Sequence, residues 1–114
     1  MLAPILKLSY IILRMKPDKI ANVLDRIRHC VRHALYYDTR HAKERQTERV
    51  ITRPEILHVL RNGRHERGKD SYQERYRAWN YAIRGRTIDK RDIRVVVSFD
   101  DNSMLIITAI EVGK

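Results

Sequence analysis

The chain has 114 residues, 43% of them hydrophobic, and a mean hydropathy of −0.54, which fits one domain with a modest core and excludes a disordered polyelectrolyte. Its 24 Lys and Arg outnumber 14 Asp and Glu, a formal net charge of +10, so a polyanion is the first partner class to consider. One cysteine, Cys30, excludes an internal disulfide and fits a reducing cytoplasm.

Seventeen of the 24 basic residues are Arg, the side chain suited to planar, bidentate phosphate recognition. Residues 40–94 hold 16 basic and 8 acidic side chains, whereas residues 95–114 hold Lys114 against Asp100, Asp101 and Glu111. Nucleic acid leads as partner; an anionic membrane surface or an acidic protein would satisfy the same sum.

Leu2–Leu13 is apolar, only twelve residues long and interrupted by Lys7. That is too short to span a bilayer, and it lacks the basic leader of a signal peptide. It reads as a strand, a helix added to the core, or a cover for a dimer interface. Residues 1–15 are therefore expected to form an apolar extension and residues 16–114 a single compact domain. Pro17 and Asp18 open the first predicted helix, with Ile20, Val23, Leu24, Ile27, Val31, Ala34 and Leu35 as its apolar stripe. Arg26, Arg28, Arg32 and His33 fall on the outer side, and Cys30 falls on the apolar one. His29 and His33 are an i, i+4 pair, but no Cys/His cluster has zinc-ligand spacing, and neither a metal nor a cofactor is expected.

Asp38 and Thr39 are candidate caps for a second helix over residues 40–49. There His41, Arg45 and Arg49 recur every four residues and share one stripe. Such a stripe attracts a phosphate and, through the imidazole, moves a proton near neutral pH. The same composition also suits a solvated face on which Glu44 and Glu48 pair with the cations. Thr52-Arg53-Pro54-Glu55 then has capping-box spacing, Ile56, Leu57, Val59 and Leu60 supply an apolar side, and Gly63 ends this helix.

From Gly63 the period changes. Residues 63–68 have room for a short strand, and 68–71 are turn-like. Tyr76, Ala78, Asn80 and Ala82 alternate with Arg77, Trp79, Tyr81 and Ile83, as in an aromatic-rich strand that Arg84-Gly85-Arg86 ends. Residues 93–99 and 104–110, joined by the turn 100–103, form a hairpin. The expected fold is α+β, with N-terminal helices packed on an antiparallel sheet of three to four strands.

The block from His41 through Arg45 to Arg49, with Ile51-Thr52 and Glu55-Ile56-Leu57, resembles the opening of the DUF4258 domain. The stretch from Trp79 through Gly85 to Arg94 resembles its central hairpin, and Ile106–Ile110 its closing strand. The blocks fall in order over residues 38–112. That family is grouped with RelE-like and barnase-like folds, and its members commonly look like toxins of bacterial toxin–antitoxin pairs. The resemblance implies a small helix-plus-antiparallel-sheet fold, metal-independent ribonuclease activity, and neutralisation by a partner antitoxin.

Metal-free RNA cleavage needs a base, an acid, and cations for the charge that builds on the phosphoryl oxygens. His41 is the expected base or acid, and Arg45 and Arg49 the catalytic cations, with Arg84 or Arg94 reaching the phosphate from the sheet. Trp79, Tyr76 and Tyr81 are candidates to stack an unpaired base, with core packing as the competing use. His65 is a second acid/base candidate, and Thr108 is the polar residue of an apolar strand. The expected partners are RNA, free or on the ribosome, a cognate antitoxin, and a second copy of the chain. A membrane is not among them. The competing class is a non-catalytic nucleic-acid-binding or protein-interaction module, which needs the same charge and no proton-transfer geometry.

Overall fold

A computed structural model of the protein describes residues 15–40 and 51–113. Along the chain run α1 (Val23–Arg32), β1 (Tyr36–Asp38), α2 (Arg53–Asn62), β2 (Arg64–His65), a 3-10 turn (Arg67–Lys69), β3 (Ser71–Gln73), β4 (Ala78–Arg86), β5 (Asp92–Phe99) and β6 (Met104–Glu111). The sheet order is β1-β6-β5-β4-β2, with β3 also on β4. The class is α+β, as expected, but two features of the sequence reading are corrected. Among the described residues the sheet has six strands rather than three to four, and it is mixed, because β1 runs parallel to β6. The helices are not all N-terminal to the sheet, because β1 precedes α2.

The first helix is shorter than its apolar stripe suggests. Val23, Ile27, Cys30 and Val31 are its buried face, at the spacing of one helical stripe. The preceding residues stay out of the helix because their backbone is engaged elsewhere. Ile20 N donates to the Tyr81 hydroxyl, Pro17 O accepts from Trp79 Nε1, and Met15 O accepts from Arg77 Nη2. At the other end, Leu35 N reaches Cys30 O and Ala34 N reaches Val31 O, the pairing of a Schellman motif. Ala34 holds its left-handed position at φ 55°. The chain then enters β1, and just past it Thr39 N donates to Ile106 O at 2.9 Å; the helix that Asp38 and Thr39 are expected to cap lies outside the described residues.

The second helix follows its sequence signals closely. Thr52 and Glu55 form the reciprocal capping box, and Gly63 N closes the helix on Val59 O. Gly63 also permits a close approach: a Cβ there would meet Arg84 O and Val59 O, each at 2.6 Å. Ile56, Val59 and Leu60 of α2 join Ile83, Ile93, Val95, Val97, Met104 and Ile106 in one core with the buried face of α1. The hairpin of β5 and β6 forms as expected; Asp100 Oδ1 accepts from Asn102 N, Ser103 N and Ser103 Oγ in its turn. Both described helices pack on the same sheet face.

Candidate nucleic-acid interface

Strand alternation assigns the sheet face opposite the described helices. Ile83, Val95 and Val97 are fully buried on the helix side, so Arg84, Arg94 and Val96 point the other way. Register then brings the cations together: Arg84 is opposite Arg94, and Arg64 of β2 is opposite Arg84. Like charges directly opposite one another destabilise a sheet unless anions intervene. Glu66 and Asp92 are those anions. Arg94 Nε and Nη2 donate to Glu66 at 2.6 and 3.3 Å, and Arg84 Nη1 reaches the same carboxylate at 3.1 Å. Arg84 Nε and Nη2 grip Asp92 at 3.1 and 2.7 Å.

All four side chains are part-buried, from 16% exposed at Arg94 to 32% at Asp92. The Arg94 hydrogen bond, with Arg84 beside it, outweighs burial and lowers the Glu66 carboxyl to about 2. The Arg84 fork likewise lowers Asp92, aided by nearby Arg86 and Arg64. The two carboxylates in turn raise Arg84, holding it charged. On this face Val96 stands opposite Thr108, and Arg94 opposite Ile110. Further along, Tyr37 of β1 stands beside Leu105. Tyr37 is 63% exposed.

The aromatic candidates from the sequence lie elsewhere. Tyr81 is 2% exposed, with its ring edge-on to His65 and near Phe99. This corrects the expectation that it stacks a base: in the alternation of β4 it shares the core side with Ile83. Trp79 is partly buried against the core. Its ring meets Tyr72 edge-on, Lys19 Nζ lies 4.8 Å from its centroid, and Pro17 O takes its N–H. It pins the segment before α1 to the sheet. Tyr76 is 70% exposed but precedes β4, in the turn after β3.

His65 makes a 2.8 Å contact from Nε2 to Asp70 Oδ2; a carboxylate only accepts, so that nitrogen carries the proton. Asp70, whose side chain is fully buried, also accepts from Lys19 Nζ and Ala82 N, both at 2.9 Å. This trio belongs to the helix side of the sheet edge, away from the arginine row, and ties the approach to α1 onto β4. The groove lined by Pro54, Glu55, His58, Ile88 and Asp89 presents carboxylates, the wrong sign for a polyanion. Burial raises the Cys30 thiol, which keeps it protonated.

His41, Arg45 and Arg49, the helix predicted to carry them, and the apolar extension up to residue 14 lie outside the described residues. The residues flanking the histidine segment are tied to each other: Arg40 donates from Nη1 to Ile51 O at 2.7 Å and grips Asp38 through Nε and Nη2. Sequence reasoning missed Glu66, Asp92, Arg64 and Tyr37. Asp92 was accessible, since it shares β5 parity with Arg94; Glu66 was not, because two residues of β2 carry no period.

Among the described residues no helix is long and apolar enough to cross a membrane, and no group of three or more His, Cys, Asp or Glu is arranged to hold a metal ion. The fold and its charged face define a small α+β protein with an arginine-rich sheet surface. The chain belongs to the family described as Domain of unknown function (DUF4258), whose model matches residues 39–111. No curated protein and no solved structure matches it.

Proposed function

We propose that this protein is a metal-independent ribonuclease, acting as the toxin of a type II toxin–antitoxin pair, with single-stranded RNA lying across the sheet face opposite the described helices. The observation that carries the reading is the register of Arg64, Arg84 and Arg94, which gathers three guanidinium groups on one sheet face. Such a row suits successive phosphates. Tyr37, exposed on the same face, takes the base-stacking role expected of Tyr81.

In the reaction the 2′-oxygen attacks the adjacent phosphorus, its proton passes to a base, and the bond to the 5′-oxygen breaks as an acid protonates that oxygen. A 2′,3′-cyclic phosphate remains. His41 is the proton-transfer group in this reading, with Arg45 and Arg49 beside it in sequence and the sheet arginines holding the neighbouring phosphate. The toxin setting and an acidic antitoxin follow from the family resemblance and from the net charge of +10.

The binding-module alternative draws on one observation: two of the three arginines in the row, Arg84 and Arg94, are already ion-paired. That suits docking as readily as catalysis. Incubating the purified chain with total RNA in EDTA separates the two. Discrete fragments support the ribonuclease, whereas binding without fragments supports the module.

A further inference from the structure

Resting on the reading of the sheet face as an RNA surface, we infer that Glu66 and Asp92 are built-in competitors for the phosphate sites of Arg84 and Arg94, so that RNA binds by displacing them.

The geometry is that of a phosphate site already filled. A guanidinium offers Nε and one Nη as a planar fork that fits two oxygens of a carboxylate or a phosphodiester equally well. Arg84 uses this fork on Asp92, at 3.1 and 2.7 Å. Arg94 uses its own on Glu66, at 2.6 and 3.3 Å. The remaining Nη1 of Arg84 bridges to Glu66 at 3.1 Å. Neither Nε–Nη2 fork can take a phosphate without letting its carboxylate go.

Both anions sit where release costs no strand pairing. Glu66 lies just past the two-residue β2, and Asp92 is the first residue of β5. Each leaves its fork by side-chain rotation alone, the ladder bonds of β4 and β5 being main-chain. Arg64 and Arg86, both exposed, act on Asp92 through their charge and can hold it, or the phosphate, after the exchange. The swap replaces one oxyanion with another at the same donors. The cluster therefore contributes selectivity for a ligand with several phosphates in register, rather than high affinity for one.

The test uses full-length protein and a fluorescein-labelled 2′-O-methyl oligouridylate, which lacks the nucleophile and so is not cleaved. Affinity is read by anisotropy for wild type, Glu66→Gln, Asp92→Asn and the control Asp101→Asn, which removes one exposed turn charge. Glu66→Gln and Asp92→Asn should bind about five- to ten-fold more tightly than the control, the size of one freed charge-assisted contact, while their melting temperatures fall. In the Arg94→Ala background the gain from Glu66→Gln should shrink to what the bridge from Arg84 Nη1 alone releases. Either single variant suffices if the other does not fold. Binding equal to the Asp101→Asn control overturns the inference and leaves the cluster a structural ion-pair lattice. No binding by wild type at low salt would instead remove the RNA-surface reading itself.

Discussion

Arg94 donates from Nε to Oε1 of Glu66 across 2.6 Å, joining the middle of β5 to the residue that follows β2. Those strands are not neighbours in the sheet; β4 runs between them. The ion pair therefore spans three strands, and it neutralises part of a row of like charges that register would otherwise set against one another.

Acid should dissolve this cluster. Glu66 is lowered from an ordinary 4.5 to about 2, and Asp92 and Asp38 are lowered in the same direction by their arginines. A depressed carboxylate contributes its stability above the unfolded value and loses it as pH falls toward the folded one. The melting temperature should hold above pH 4.5 and drop on the way to about 2. Glu66→Gln should melt about 5 °C lower at neutral pH and show a shallower acid drop. An unchanged acid profile in that variant would mean the pair contributes nothing.

Salt dependence locates the RNA surface. If Arg84 and Arg94 reach phosphates, replacing either by Ala should flatten the slope of log affinity against log salt by about 0.7 for single-stranded RNA. An unchanged slope in both variants would move the surface elsewhere, with Arg26, Arg28 and Arg32 of α1 next in line.

The aromatic residues should divide by face. Tyr37→Ala should weaken RNA binding about ten-fold and leave the melting temperature unchanged, since stacking one base is worth about 1–3 kcal/mol. Tyr81→Phe should leave binding intact but cost about 1 kcal/mol of stability, because Ile20 N loses its acceptor. Binding data in the opposite pattern would put the RNA on the helix side.

What could be read in the sequence depended on element length. Thr52, Glu55 and Gly63 mark the limits of α2 because capping and termination are local chemistry. The β5–β6 hairpin shows itself through two long apolar runs and the Asp100 turn. Strands β1, β2 and β3, of two or three residues each, carry no alternation, so the sheet looked smaller than it is. The parity that sets Tyr81 beside Ile83 is visible in the sequence, but parity alone leaves base stacking and core packing both open. The meeting of Arg84 with Glu66 is not visible there, because it depends on the pairing of β2 with β4 across 18 residues of chain.

Two small residues give opposite expectations for the scaffold. Ala34 occupies the left-handed position at φ 55°, so Ala34→Gly should stabilise by about 0.5–1 kcal/mol in urea unfolding. Gly63→Ala should destabilise by about 3 kcal/mol or more, because its Cβ would collide with backbone on two sides. Equal, small effects at both positions would contradict the described backbone.

The most direct test of the central claim is cleavage of one oligoribonucleotide in EDTA by wild type and His41→Ala, alongside an analogue with a 2′-deoxy residue at the scissile position. The account predicts fragments ending in 2′,3′-cyclic phosphate from wild type, and none from the deoxy analogue, which still binds. It predicts a rate at least about 100-fold lower for His41→Ala with an unchanged melting temperature. Full cleavage by His41→Ala would remove this histidine from the chemistry. No cleavage by wild type of any RNA would contradict the ribonuclease and leave the binding module in its place.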